Sequence, residues 1–164
     1  MLVENVDFRL DWSRPRSLGH KALAVSLSDI AAMGAVPEWA MVSIAVPDDL
    51  WNSGSLDQFY EGWLALARKY GVELVGGDIS STCGPLIIDS IVGGIVPRGK
   101  AILRSGASPG NSIYVTGTLG GAAGGLKLLE ASHSSEPSAA EIIQRQLEPR
   151  PQLTIAKTLQ TLGF

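Results

Sequence analysis

The chain has 164 residues, 45% of them hydrophobic and 18% charged, with a formal net charge of −3. That is a globular composition with enough apolar mass for a core, and it lacks both the bias of a disordered chain and the basic block of a nucleic-acid binder. Cys83 is the single cysteine, which excludes an intrachain disulfide or a cysteine-built zinc site, and no stretch is apolar for long enough to span a bilayer. The expected setting is therefore a reducing cytoplasm, with no membrane or nucleic-acid partner.

Met1 to Asp11 alternates Leu2, Val6, Phe8 and Leu10 with polar residues and predicts a strand. Ser17 then caps a predicted helix running to Ala31 or Met33, with Gly34 as its stop. Leu18, Ala22, Val25 and Met33 line one side of it, and Leu23, Leu27, Ile30 and Ala31 an adjoining one. A helix this apolar is expected to be buried, so Asp29 on it needs a partner or a cation. Residues 38–47 predict a strand, and "DDLWNSG" a polar loop. Ser55 and Gln58 form a capping-box pattern that opens a second helix. Its stripe is Phe59, Trp63, Leu66 and Tyr70, and Gly71 closes it.

The apolar run of residues 72–75 ends at Gly76, Gly77 and Asp78, which places these three at the end of a predicted strand. Residues 85–97 predict a long strand in which Gly93 and Gly94 mark a bulge or a close approach. After residues 107–112 the pattern restarts, with a predicted strand "IYVTG" at 113–117, a glycine-rich stretch and a helix through Leu129. A polar loop at 132–138 and two helical pieces divided by "EPRP" at 148–151 complete the chain. The alternation predicts an α/β fold of the α+β type, a mixed sheet with flanking helices.

Asp29 and Asp78 stand out as carboxylates in apolar contexts. Carboxylates from separate elements suit a hard cation such as Mg²⁺, which takes oxygen ligands and bridges to phosphate. Gly77 beside Asp78 lets backbone N–H groups meet phosphate oxygens without a Cβ in the way. Arg104 offers a planar fork for phosphate, and Tyr60 a ring that could stack on a purine. Taken singly, each has a plainer reading: a solvated helix acid, a turn aspartate, a surface arginine, a core aromatic. "GTLGGAAGG" at 117–125 is neither a Walker motif nor a dinucleotide fingerprint, and tight helix packing accounts for it as well as anion binding does.

Three stretches, "HKALAVSLSDIAAMGAVPEWAMVSIAVP", "FYEGWLALARKYGVELVGGDIS" and "RSGASPGNSIYVTGTLGGAAGGL", together with "LVENVDF", resemble the thiamine-monophosphate kinase family. That family belongs to the aminoimidazole-ribonucleotide-synthetase-like superfamily. The resemblance implies ATP-dependent phosphorylation of thiamine monophosphate to thiamine diphosphate, by direct Mg²⁺-assisted phosphoryl transfer. By match of position, Asp29 and Asp78 would ligate Mg²⁺, while Gly77, Asp78, Arg104 and Tyr60 would bind ATP. It also implies a homodimer formed through the sheet of an N-terminal domain, here residues 1–106. Residues 107–164 would open a second α/β domain.

The family's upstream Gly-Asp-Asp and Thr-Asp motifs and its later Ser-Asp-Gly motif are not in these residues, and Asp7 stands where a substrate-contacting histidine is expected. These departures imply a chain truncated at both ends, with little or no activity by itself. The alternative reading is a non-catalytic, dimerising remnant with weak or no nucleotide binding.

Overall fold

A computed structural model describes residues 1–132 and 137–162. Its elements are β1 (Leu2–Val3), α1 (Pro15–Ala32), β2 (Val36–Pro47), α2 (Asp48–Trp51), α3 (Ser55–Tyr70), β3 (Glu73–Thr82) and β4 (Ile87–Ile95). They are followed by α4 (Gly121–Glu130), a 3₁₀ turn (Pro137–Ala139), α5 (Ala140–Leu147) and α6 (Leu153–Leu162). The four strands make one mixed sheet in the order β1-β4-β2-β3. β2 runs antiparallel to β4 and parallel to β3, and β1 pairs antiparallel with β4.

The period-2 pattern of β2 decides which face is covered. Ala40, Val42, Ile44 and Val46 are buried, whereas Trp39, Met41 and Ser43 are exposed. On the buried face α1 packs against α3 and β4. The expected stripe of α3 supplies Phe59, Trp63 and Leu66 to the core, and burying each such side chain contributes roughly 1.5–3 kcal/mol. Trp63 is fully buried and donates its indole N–H to Ser90 Oγ at 3.3 Å, and Ser26 Oγ donates to the Ser90 carbonyl at 2.7 Å. One serine on the central sheet thereby satisfies a polar group from each covering helix.

α1 and α3 cross at two glycines. A Cβ on Gly19 would lie 1.9 Å from the Phe59 carbonyl oxygen, and one on Gly62 would lie 1.9 Å from that of Arg16. On the other face the Trp39 ring covers Gly93, whose Cβ would lie 2.2 Å from it, so the expected close approach at Gly93 and Gly94 is real. The register irregularity falls on β2, between Pro37 and Trp39.

Several local expectations are corrected. Only Leu2–Val3 of the first eleven residues is a strand; Val6 and Asp7 both donate to the Val3 carbonyl and fold the segment into a tight loop. Pro15 opens α1, with no side-chain cap, and the Ser17 hydroxyl instead donates to Glu148 Oε1 at 2.7 Å. Gly54, in the left-handed region, precedes α3, and Ser55 makes no capping bond. The loop after β2 contains the single turn α2. Residues 113–117 are not a strand: residues 96–120 have no regular structure, and Ile113 and Tyr114 are 92% and 90% exposed. A strand needs a neighbour to pair with, and among the described residues this segment has none. Most of the 132–138 loop lies outside the described residues.

α4 and α5 pack on each other around Leu129, Ala139 and Ile143, with Trp12 against them. The chain then returns to its beginning. His20 Nε2 meets the Pro149 carbonyl at 2.9 Å, the Tyr70 hydroxyl donates to that of Pro151 at 3.4 Å, and Leu153 and Ala156 enter the main core.

Candidate functional site

Gly76, Gly77 and Asp78 lie inside β3, not at its end. β3 passes the glycines and continues to Thr82, pairing with β2 along its length. A register shift at Ala40/Met41 admits one extra residue just before Gly76. Gly77 has φ +144°, and a Cβ there would lie 1.9 Å from the Val42 carbonyl oxygen. Only glycine lets the two backbones approach this closely, so the need for bare backbone is met first inside the sheet.

By register Asp78 stands opposite Ser43, which in turn stands opposite Asp89 on β4. Ser43 points away from the helices, so these three residues form a polar row on the uncovered face. Asp78 is exposed and accepts a hydrogen bond from Ser80 Oγ at 3.4 Å. Asp89 is held by the Met1 ammonium at 3.3 Å. Ser43 is the neighbour that sequence reading missed; only pairing register could have placed it there.

Asp29 is exposed, contrary to expectation, because α1 turns Leu27 and Ala31 inward. It rides in the helix layer, whereas Asp78 is on the sheet's other face. Among the described residues no three His, Cys, Asp or Glu side chains converge as a metal cluster. Arg104 is exposed in the irregular segment, yet its placement is not arbitrary. The Ile102 N–H donates to the Met33 carbonyl at 3.0 Å, and the Met33 N–H reaches back to the Asp29 carbonyl at 3.3 Å. This ties the residues before Arg104 to the turn of α1 that carries Asp29.

Tyr60 is half-buried on α3, edge-on to Phe59 with ring centroids 5.5 Å apart, and burial raises its phenol pKa above 10.0. The Asp7 carboxylate is spent within its own loop, accepting the Val3 N–H at 2.8 Å. In the glycine-rich stretch, packing explains Gly121 and Gly125: added Cβ atoms would meet the Arg145 side chain and the Ile142 carbonyl oxygen.

Residues 1–96 match the family profile of the AIR synthase related protein, N-terminal domain. The chain belongs to the AIR synthase related family. Within this family it is 40% identical to the thiamine-monophosphate kinase of Bacillus subtilis (strain 168) over 159 residues, 95% of this chain and 49% of that protein. The crystal structure of a thiamine monophosphate kinase from Aquifex aeolicus superposes with a TM-score of 0.86 at 36% identity, covering 97% of this chain and 53% of that one. A structure of AaThiL complexed with AMPPCP and TMP also gives 0.86, at 34% identity, over 97% and 50% of the two chains. This AIR synthase related chain thus spans about half the length of the relatives it matches. Among its described residues no helix is long and apolar enough to cross a membrane.

Proposed function

We propose that this chain is the nucleotide- and metal-binding part of an enzyme that phosphorylates thiamine monophosphate to thiamine diphosphate with ATP. The observation that carries this reading is 40% identity to a thiamine-monophosphate kinase across nearly the whole of this chain. The AaThiL complex with AMPPCP and TMP supports a nucleotide and a phosphorylated co-substrate. On this reading residues 1–106 are the nucleotide- and Mg²⁺-binding and dimerising domain, residues 107–164 open a second α/β domain, and the setting is cytoplasmic.

Asp29 and Asp78 offer hard oxygen donors and are exposed, so each suits Mg²⁺, which takes one or two carboxylates and completes its shell with water and phosphate. When bound, the ion neutralises phosphate charge. Gly77 brings backbone to the phosphates, the Arg104 guanidinium takes phosphate oxygens through its fork, and the Tyr60 ring lies against the nucleotide. Phosphoryl transfer asks the protein mainly for positioning and charge neutralisation, which is what these residues can supply. A homodimer fits the uncovered sheet face, where Trp39, Met41, Ile91 and Ile95 remain 38–58% exposed.

The absence of a three-carboxylate cluster among the described residues favours a second reading, a dimerising module with weak or no nucleotide binding. Calorimetric titration of the chain with ATP, with and without Mg²⁺, separates the two. Magnesium-dependent binding that disappears in Asp78→Asn supports the kinase reading. No binding in either form leaves the module.

A further inference from the structure

Arg104 lies in a stretch without regular structure. Among the described residues from 97 to 119, one backbone hydrogen bond reaches another element, from the Ile102 N–H to the Met33 carbonyl at 3.0 Å. The others, Lys100 to Pro97 and Asn111 to Ser108, are local turns. Just upstream, β4 ends at Ile95, paired with Val36 of β2. Residues 96–101 are therefore a short loop closed at both ends on the turn between α1 and β2, and Ile102 is the last fixed point before Arg104.

That turn is shaped for the contact. The Met33 N–H donates to the Asp29 carbonyl at 3.3 Å, so the acceptor for Ile102 belongs to the turn of α1 that carries Asp29. Gly34 is buried at φ +67°, a conformation that suits glycine. A Cβ there would lie 3.0 Å from Ile102 Cδ1 and 3.0 Å from Gln160 Cβ of α6. α6 in turn packs on α1 and sends Leu153 and Ala156 into the core. The Arg104 segment and α6 thus converge on one residue that has no side chain.

We propose that Ile102 and Gly34 are positioning residues for Arg104, fixing its segment against the Asp29 turn so that guanidinium and carboxylate serve one ATP. The inference rests on the nucleotide reading of Arg104 and Asp29 given above and deepens it. Neither positioning residue touches ATP. They raise the fraction of time that Arg104 spends in place, and affinity scales with that fraction. A segment in place for about one-tenth of the time would bind about tenfold more weakly.

The test is calorimetric titration of the full chain with Mg²⁺ and ATP. Ile102→Pro removes the anchoring N–H in a segment that has no regular structure to break. It is expected to weaken ATP binding about tenfold, and Ile102→Val, which keeps the N–H, to restore most of the loss. In an Arg104→Ala background Ile102→Pro is expected to cost nothing further, because the residue it positions is gone. Equal binding by parent and Ile102→Pro overturns the proposal and leaves the nucleotide reading standing; an undiminished loss in the Arg104→Ala background overturns it too, since the effect would then be merely structural. A parent that binds no ATP removes the nucleotide reading, and backbone ¹⁵N relaxation then decides. Order parameters at residues 103–105 that fall below about 0.6 in Ile102→Pro support the anchor, and unchanged ones overturn it. Should Ile102→Pro not fold, hydrogen exchange of the parent's Ile102 amide decides: protection of at least about tenfold supports the anchor, and exchange at the unprotected rate overturns it.

Discussion

Gly19 of α1 and Gly62 of α3 each leave room for a backbone carbonyl of the other helix, so the two helices meet main chain to main chain. A methyl group at either position would overlap an oxygen that is fixed in a helix and cannot rotate away. The helix pair covering the sheet therefore depends on two absent side chains.

Gly62→Ala is expected to lower stability by about 3 kcal/mol, the upper range for overpacking a close contact. Urea unfolding of the variant beside the parent measures it. An unchanged midpoint would mean that the helices do not cross this closely in solution.

Ser90→Ala tests the polar centre of the core. It leaves the buried Trp63 indole N–H without its acceptor, at an expected cost of about 1–3 kcal/mol. Trp63→Phe in the Ser90→Ala background should cost less than the sum of the two single changes, because the orphaned donor is gone.

Gly77→Ala and Asp78→Asn should separate architecture from chemistry. Adding a side chain at φ +144°, against the Val42 oxygen, is expected to loosen the β2–β3 pairing and lower stability by about 1–3 kcal/mol. Asp78→Asn changes an exposed side chain and should move stability by no more than about 0.5 kcal/mol. If the proposed site is correct, this stable variant still loses Mg²⁺-dependent ATP binding.

Tyr60 gives the chain a pH signature. Burial raises its folded-state pKa above 10.0, so the folded phenol keeps its proton where the unfolded one is losing it. Its contribution is whole below pH 10 and is lost as the pH climbs through the raised value. Lys21, whose pKa burial lowers from 10.5, acts with the opposite sign in the alkaline range, so the comparison must be parent against Tyr60→Phe. The variant should show a shallower fall in unfolding free energy above pH 10; parallel curves would place the phenol in water.

Met41→Glu puts a charge on the uncovered sheet face while leaving the helix-covered core untouched. If copies of the chain pair through that face, sedimentation should show their association weakened by at least about tenfold in concentration. A parent that sediments as a monomer at all concentrations would remove the dimer.

How much of this was legible in the sequence depended on how far each residue's partner lay along the chain. The stripe of Phe59, Trp63 and Leu66 was plain, because helical period is a local property. The close approach at Gly93 was legible too, since a glycine inside an apolar strand removes a side chain and leaves a gap that a neighbour fills. Asp78 was misplaced at a strand end because Gly-Gly-Asp is turn composition; the parallel partner β2 and a bulge carry the strand through it. Residues 113–117 failed in the opposite sense, having strand composition but no paired neighbour among the described residues. Asp29 was expected in a buried setting because the helix was read as apolar on much of its circumference, whereas its packed side is narrower.

The return of residues 148–156 to α1, α3 and the main core gives the loop between β4 and α4 an unusual status. That loop is the connection, but it is not what keeps the two ends of the chain together. A protease that cut once within residues 107–120 should leave two polypeptides that still elute as one particle, separable only by denaturant. The same arrangement should let separately made halves find each other, with the stretch around Pro149 and Pro151 acting as the recognition element.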